Sequence, residues 1–167
     1  MSLREPSQIG NDLIRRLHNS CRIAIIGVGD PHSPIDRLGM YAAGEIEKLH
    51  LANVQVFLAG TAPESITAAL RVYRPDHCIF MDAADMGLLP GDIKVLDPGS
   101  TQSNLVSSHV LPLSLVMEFI AQDTGSGVTL IGIQPDIVRP DRDLSEQGQD
   151  LLNQNLSALT DILRSCQ

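Results

Sequence analysis

The segment Arg22-Ile-Ala-Ile-Ile-Gly-Val-Gly29 is a short apolar run that ends in glycine, and it is the strongest indication of the fold class. A continuous apolar run of this length is typical of a β-strand buried on both faces, as in a parallel sheet. We predict four further strands along the chain, at residues 54–58, 76–82, 93–97 and 128–134. The last of these, Val128-Thr-Leu-Ile-Gly-Ile-Gln134, has the same buried character as the first.

Segments with helical spacing of apolar residues separate these strands. We predict helices at residues 7–20, 36–51, 61–73, 111–122 and 144–165. The third is expected to begin with a capping box, in which Thr61 is the N-cap and Glu64 its partner. Strands that alternate with helices predict an α/β fold with a mostly parallel, twisted sheet of about five strands, covered by helices on both faces. A length of 167 residues fits one domain, at residues 1–167.

Composition and charge exclude several classes of partner. The chain has 12 Lys+Arg and 20 Asp+Glu, a net charge of −8, which argues against nucleic acid as a main partner. It has no run of 18 or more apolar residues, and no apolar leader follows Met1, so we expect neither a membrane span nor a secretory signal. The three cysteines show no CxxC spacing and are interpreted as thiols of a cytoplasmic protein.

Polar residues cluster where the predicted strands end. In an open α/β sheet, ligands bind at the carboxyl ends of the strands, so these residues are the first candidates for chemistry. They are Asp30, His32, Asp36, Asp82, Asp85, His109, Gln134 and Asp136.

The glycines at the end of the first strand are not predicted to form a nucleotide site. Gly27-Val-Gly29 begins like a dinucleotide fingerprint, but His32 stands at the position of its third glycine. The second strand ends in Ala59-Gly60 and not in the acid that would hold a ribose. The chain also contains neither the phosphate-binding GxxxxGK[ST] pattern nor a GxSxG nucleophile elbow.

Asp36, Asp82 and His109 form a candidate metal site. Two carboxylates and an imidazole suit a divalent ion such as Ni²⁺, Zn²⁺ or Mn²⁺, with positions left open for water or substrate. The alternative is structural, because an aspartate at the end of a strand often caps a turn or helix. His109 would then be a surface residue. Both interpretations stay open on spacing alone.

Three segments around these residues are specific to one family. They are Asp82-Ala-Ala-Asp85-Met-Gly87-Leu-Leu-Pro-Gly91-Asp-Ile, Ser107-Ser-His109-Val-Leu-Pro112-Leu-Ser and Ile131-Gly-Ile-Gln134-Pro-Asp136. With them, the sequence resembles the hydrogenase maturation proteases, and most of all the subgroup that serves formate-hydrogenlyase-type hydrogenases. The resemblance covers about residues 22–165, so residues 1–21 are interpreted as an N-terminal helical extension to the family core.

The resemblance implies a substrate and a reaction. Members of this family remove a C-terminal extension from the precursor of a nickel–iron hydrogenase large subunit that already carries nickel. The nickel-contacting positions of the family fall on Asp36, Asp82 and His109. The implied chemistry is metal-assisted hydrolysis, in which the metal belongs to the substrate precursor as much as to the enzyme. Asp36 and Asp82 are thus candidate catalytic residues. We add Asp85 as a carboxylate for proton handling, with a turn cap before Gly87 as its alternative role.

The first loop departs from the family pattern. Asp30 stands where asparagine is usual, Ile35 replaces the first of two acids, and Arg37 replaces a glycine. The second acid, Asp36, and the last glycine, Gly39, are kept. Arg37 is placed to pair with the carboxylate of Asp36 and compete with a cation.

Two other functions remain as alternatives. One is a non-catalytic homologue that binds the hydrogenase precursor without cleaving it. The other is an α/β enzyme for small molecules, unrelated to hydrogenases. Apart from the precursor we expect no nucleic-acid or membrane partner, and the sequence leaves open whether the chain is a monomer or a weak dimer.

Overall fold

The computed structural model describes residues 8–97 and 112–166. In this part of the chain the strands are β1 (Ile23–Val28), β2 (Val54–Gly60), β3 (His77–Ala83), β4 (Ile93–Leu96) and β5 (Gly127–Ile133). The helices are α1 (Gln8–Leu17), α2 (Leu38–Glu47), α3 (Thr67–Tyr73), α4 (Leu113–Thr124) and α5 (Glu146–Ser165). None of the helices within these residues is both long enough and apolar enough to cross a lipid bilayer.

The five strands form one sheet in the order β2-β1-β3-β5-β4. β1 lies between β2 and β3, and β3 also pairs with β5, all in parallel. β4 at the edge runs antiparallel to β5. The predicted architecture, a mostly parallel sheet of five strands, is therefore confirmed. The central strands β1 and β3 are buried along their whole length, as their continuous apolar runs require.

Helices cover both faces of the sheet and divide the core in two. On one face, α1, α2 and α5 pack on side chains such as Ile25 and Ile79. On the other face, α3 and α4 pack on side chains such as Ile26 and Phe80. Leu13 of α1 is fully buried, so the N-terminal helix contributes to the same core as the rest of the sheet.

The helix predicted to begin at Thr61 differs from the structure. A 3-10 turn at Pro63–Ile66 comes first, and α3 starts only at Thr67. The residue that precedes the 3-10 turn is Ala62, which makes no side-chain cap, so the predicted capping box is wrong. The hydroxyl of Thr67 instead donates to the carbonyl of Glu64 at 2.7 Å. The tighter hydrogen bonding of the 3-10 turn accounts for the delayed start of the α-helix.

Candidate active site

The start of α2 lies directly against the carboxyl ends of β1 and β3. A Cβ atom on Gly39 would lie 2.1 Å from the carbonyl oxygen of Met81 and 2.4 Å from that of Val28. Only glycine allows this approach, because both neighbours are backbone atoms. The loop that precedes Gly39 is thereby held at the edge of the sheet where Asp82 follows Met81. This packing places Asp36 and Asp82 at the same edge.

The loop before α2 folds around the carboxylate of Asp36. The amide of Asp30 donates to Oδ2 of Asp36 at 2.9 Å, while the carbonyl of Ser33 accepts from the amides of Asp36 and Arg37 at 3.0 and 2.9 Å. Gly29 has a φ of 129°, and a Cβ there would lie 1.9 Å from the carbonyl oxygen of Asp36. These turns delay the start of α2 to Leu38, two residues after the predicted start. The side chain of Asp36 ends up only 9% exposed.

Asp82 is fully buried at the end of β3. Its Oδ1 accepts a hydrogen bond from the amide of Ala83 at 2.9 Å. A buried carboxylate is costly unless its charge is compensated, which makes buried acids rare outside functional sites and ion pairs. Two buried carboxylates, on Asp36 and Asp82, at the ligand-binding edge of one sheet supply hard oxygen donors suited to a divalent cation.

The third predicted ligand, His109, lies outside the described residues. Within residues 8–97 and 112–166, no three histidine, cysteine or acidic side chains come together as a metal site. The three-ligand arrangement of Asp36, Asp82 and His109 therefore stays a prediction.

Asp85 is exposed and caps the turn that follows β3. Its Oδ1 accepts from the amide of Gly87 at 3.3 Å and from Nε2 of Gln134 at 3.2 Å. This is the alternative role considered for the residue, a turn cap before Gly87. Its carboxylate is nevertheless at the edge of the sheet that carries Asp82, and its role in proton handling stays a prediction.

Gln134 holds the loop that follows Asp82. Its Oε1 accepts from the amides of Met86 at 2.6 Å and Leu88 at 3.3 Å, while its Nε2 donates to Asp85. Its backbone carbonyl and amide also bond to Gly91 at 2.9 Å and Asp92 at 2.8 Å. Only 2% of the residue is exposed. The sequence predicts Gln134 at the end of a strand but does not predict this role, although a side-chain amide directly after a buried apolar strand is a signal for it.

The remaining predicted polar residues do not join the two buried acids in one cluster. His32 is exposed, and its amide donates to Oδ1 of Asp30 at 2.9 Å. Asp136 accepts from the guanidinium of Arg139 at 2.7 Å, and this hydrogen bond lowers the pKa of Asp136. Its Oδ1 also accepts from the amide of Val138 at 3.2 Å, so Asp136 stabilises its own loop.

Arg37 is directed away from the carboxylate beside it. Its Nη2 lies 3.0 Å from Oδ1 of Asp143, in the loop before α5. Its Cζ lies 6.0 Å from the centre of the Tyr41 ring, within cation–π range. The expected competition of Arg37 for Asp36 is thus replaced by an ion pair with a distant residue.

The thiols of Cys78 and Cys166 are poor candidates for a nucleophile. Burial raises the pKa of Cys78 to about 11, so its thiol is protonated at neutral pH. Burial also raises the pKa of Cys166. Neither Cys78 nor Cys166 is therefore a good candidate for a thiolate nucleophile. The buried carboxylates remain the best candidates for the chemistry of the site.

Comparison with known proteins identifies the family. The family model for hydrogenase maturation protease matches residues 40–162. The hydrogenase 3 maturation protease of Escherichia coli is 34% identical over 115 residues, which are 68% of this chain and 73% of that protein. The resemblance seen in the sequence is therefore confirmed.

Solved structures agree with this match. The crystal structure of a NiFe hydrogenase maturation protease from Thermococcus kodakarensis superimposes with a TM-score of 0.77 at 29% identity, covering 92% of this chain and 99% of that one. The solution structure of an Escherichia coli endopeptidase gives a TM-score of 0.68 at 29% identity, covering 81% and 87%. Fold and sequence agree, and the chain belongs to the hydrogenase maturation protease family.

Proposed function

We propose that this chain is the endopeptidase that removes a C-terminal extension from the nickel-loaded precursor of a nickel–iron hydrogenase large subunit. The observation that carries the proposal is the pair of buried carboxylates, Asp36 and Asp82, at the carboxyl edge of the sheet. Membership of the family supports the class of reaction. The names of the relatives support a hydrogenase as the protein acted on.

In this proposal the nickel ion is part of the substrate. Asp36 and Asp82 supply two oxygen donors, and His109 supplies a nitrogen donor, which together suit a borderline divalent ion. The two carboxylates fit this task because their burial restricts water and strengthens attraction to a cation. Contact with the ion fixes the precursor so that the scissile peptide lies beside the carboxyl edge of the sheet.

The cleavage step is proposed as metal-assisted hydrolysis. A divalent ion would polarise the scissile carbonyl or activate a water molecule. A nearby carboxylate would take a proton from that water as its oxygen bonds to the carbonyl carbon, and would give the proton to the leaving amine as the C–N bond breaks. We assign this proton transfer to the carboxylate of Asp85, because it is exposed to solvent and accepts a hydrogen bond from Gln134 that holds it in place. The buried carboxylates of Asp36 and Asp82 are assigned to the cation.

One observation keeps a binding function as the second candidate. Arg37 replaces a family glycine and forms an ion pair with Asp143, which ties the loop that carries Asp36 to the loop before α5. A loop restrained in this way is consistent with a homologue that holds the precursor without cleaving it. A stable complex of wild-type chain and nickel-loaded precursor, with no shortened product, would favour this candidate.

Replacement of Asp82 tests the proposed protease function. Asp82→Asn keeps the oxygen that accepts from Ala83 but removes the negative charge, so we expect loss of tail removal with an unchanged fold. The measurement is the size of the large subunit after incubation of the nickel-loaded precursor with each variant. Asp161→Asn is the matched control, because Asp161 is an exposed residue of α5 whose ion pair with Arg164 contributes little. Normal processing by Asp82→Asn would refute the assignment.

A further inference from the structure

Four exposed apolar side chains lie near the candidate site. They are Leu88, Leu89, Ile137 and Val138, here called the apolar rim, with exposures of 37%, 63%, 47% and 86%. They are four of the ten large apolar side chains that are exposed within the described residues. Single exposed apolar residues are ordinary, whereas two pairs that are each adjacent in sequence, in loops at one edge of a sheet, make a candidate binding surface.

The two pairs follow neighbouring strands. Leu88 and Leu89 come after β3, the strand that ends with Asp82 and Ala83, and Ile137 and Val138 come after β5. β3 and β5 are parallel neighbours, with Asp82 opposite Gly132, so both loops leave the sheet at the same edge. The two loops that carry the apolar rim thus start at the edge of the sheet where Asp82 lies.

The backbone of the apolar rim is held by hydrogen bonds. The amide of Leu88 donates to Oε1 of Gln134, and the backbone of Gln134 bonds to Gly91 and Asp92. On the other side, the carboxylate of Asp136 accepts from the amides of Val138 and Arg139 at 3.2 Å each. Apolar side chains on a fixed backbone form a preorganised surface, which lowers the entropic cost of binding.

We propose that the apolar rim binds apolar side chains of the hydrogenase large-subunit precursor next to the peptide bond that is cut. This inference rests on the proposed function. The occupant is the precursor because an endopeptidase must hold the polypeptide on either side of the reacting bond, and the apolar rim borders that position. Its chemistry, aliphatic side chains exposed to solvent, selects an apolar stretch of the partner in preference to a charged one.

The test compares a double variant with a matched control. Leu89→Ser and Val138→Ser together remove the two most exposed side chains of the apolar rim, whose exposure makes unfolding an unexpected result. Val72→Ser is the control. Val72 is 84% exposed, and it lies in α3, which contributes no residue to the apolar rim. The measurements are kcat and KM for cleavage of the nickel-loaded precursor, and Kd for its binding to the full chain by surface plasmon resonance.

We expect KM and Kd of the double variant to rise about tenfold, with kcat within about twofold of wild type. The control is expected to match wild type in all three quantities.

Unchanged KM and Kd in the double variant, or an equal rise in Val72→Ser, would overturn the proposal. A wild-type dimer that the double variant abolishes, seen by sedimentation, would also overturn it and assign the apolar rim to a second copy. If the wild-type chain binds the precursor but does not cleave it, the proposed protease function is refuted. The comparison of Kd between wild type and the double variant then still tests whether the apolar rim binds the precursor.

Discussion

Gly39 determines how closely α2 approaches the carboxyl ends of β1 and β3. Gly39→Ala would place a methyl group 2.1 Å from the carbonyl oxygen of Met81, and rigid backbone cannot move aside cheaply. We expect a loss of about 3 kcal/mol in the free energy of unfolding, because overpacking forces the helix away from the sheet. The measurement is urea denaturation followed by circular dichroism. The same displacement moves Asp36 relative to Asp82 and is expected to impair precursor cleavage.

Gly44→Ala in the same helix is the matched control. A Cβ on Gly44 would have no atom within 4 Å, and alanine is the better helix former. The free energy of unfolding should therefore rise by about 1 kcal/mol. Equal effects of the two substitutions would contradict the close contact assigned to Gly39.

At the scale of the element, α5 begins with a side-chain cap. The hydroxyl oxygen of Ser145 accepts from the amide of Gly148 at 3.2 Å and so satisfies one of the free amides at the helix start. We expect Ser145→Ala to lower the free energy of unfolding by about 1 kcal/mol. Thermal and urea denaturation of the full chain would measure the change.

Ser157→Ala provides the comparison within α5. Ser157 is an exposed residue in the middle of the helix, where alanine is favoured over serine by about 0.5 kcal/mol. The two serine substitutions in one helix should therefore change stability in opposite directions. A loss of stability on Ser157→Ala as large as that on Ser145→Ala would remove the support for a cap at Ser145.

At the scale of the whole molecule, His77 couples unfolding to pH. Its Nε2 lies 2.7 Å from Oγ1 of Thr129 in the sheet, and burial, with a smaller contribution from Arg16, lowers its pKa from 6.5 to about 4. Between these values the unfolded chain takes up a proton that the folded chain does not. The free energy of unfolding should therefore fall as pH drops from about 6.5 to 4, by up to about 3 kcal/mol, and this contribution should then level off.

Urea denaturation between pH 4 and 7 measures this effect, and the side chain can be isolated by comparison with His77→Gln. The variant should show a smaller change over the same interval, because it has no ring to protonate. Should the variant fold poorly, nuclear magnetic resonance titration of the His77 ring in the wild-type chain decides the matter. Protonation of this ring near pH 6.5 in the folded protein would contradict the prediction.

Patterns and motifs in the sequence are enough to establish the class of fold, the order of its elements and the family. Apolar runs such as Ile23–Val28 predict buried parallel strands because both faces must be covered, and this depends on local composition alone. The position of Asp82 at the end of a strand, and of Asp36 in the loop that follows another, comes from the same pattern, since parallel strands end at one edge of the sheet. The role of His109 depends on the family resemblance, and it lies outside the described residues.

The contacts between polar groups, by contrast, depend on how the elements pack together. The side-chain oxygen of Gln134 accepts a hydrogen bond from the backbone amide of Met86, a residue 48 positions earlier. Arg37 forms its ion pair with Asp143, in the loop before α5, and not with the adjacent Asp36. The burial of Asp36 likewise depends on the glycine contact between α2 and the sheet. Such contacts join segments that are distant in the chain, so they are set by the packing of whole elements, while periodicity and spacing report only on neighbours in sequence.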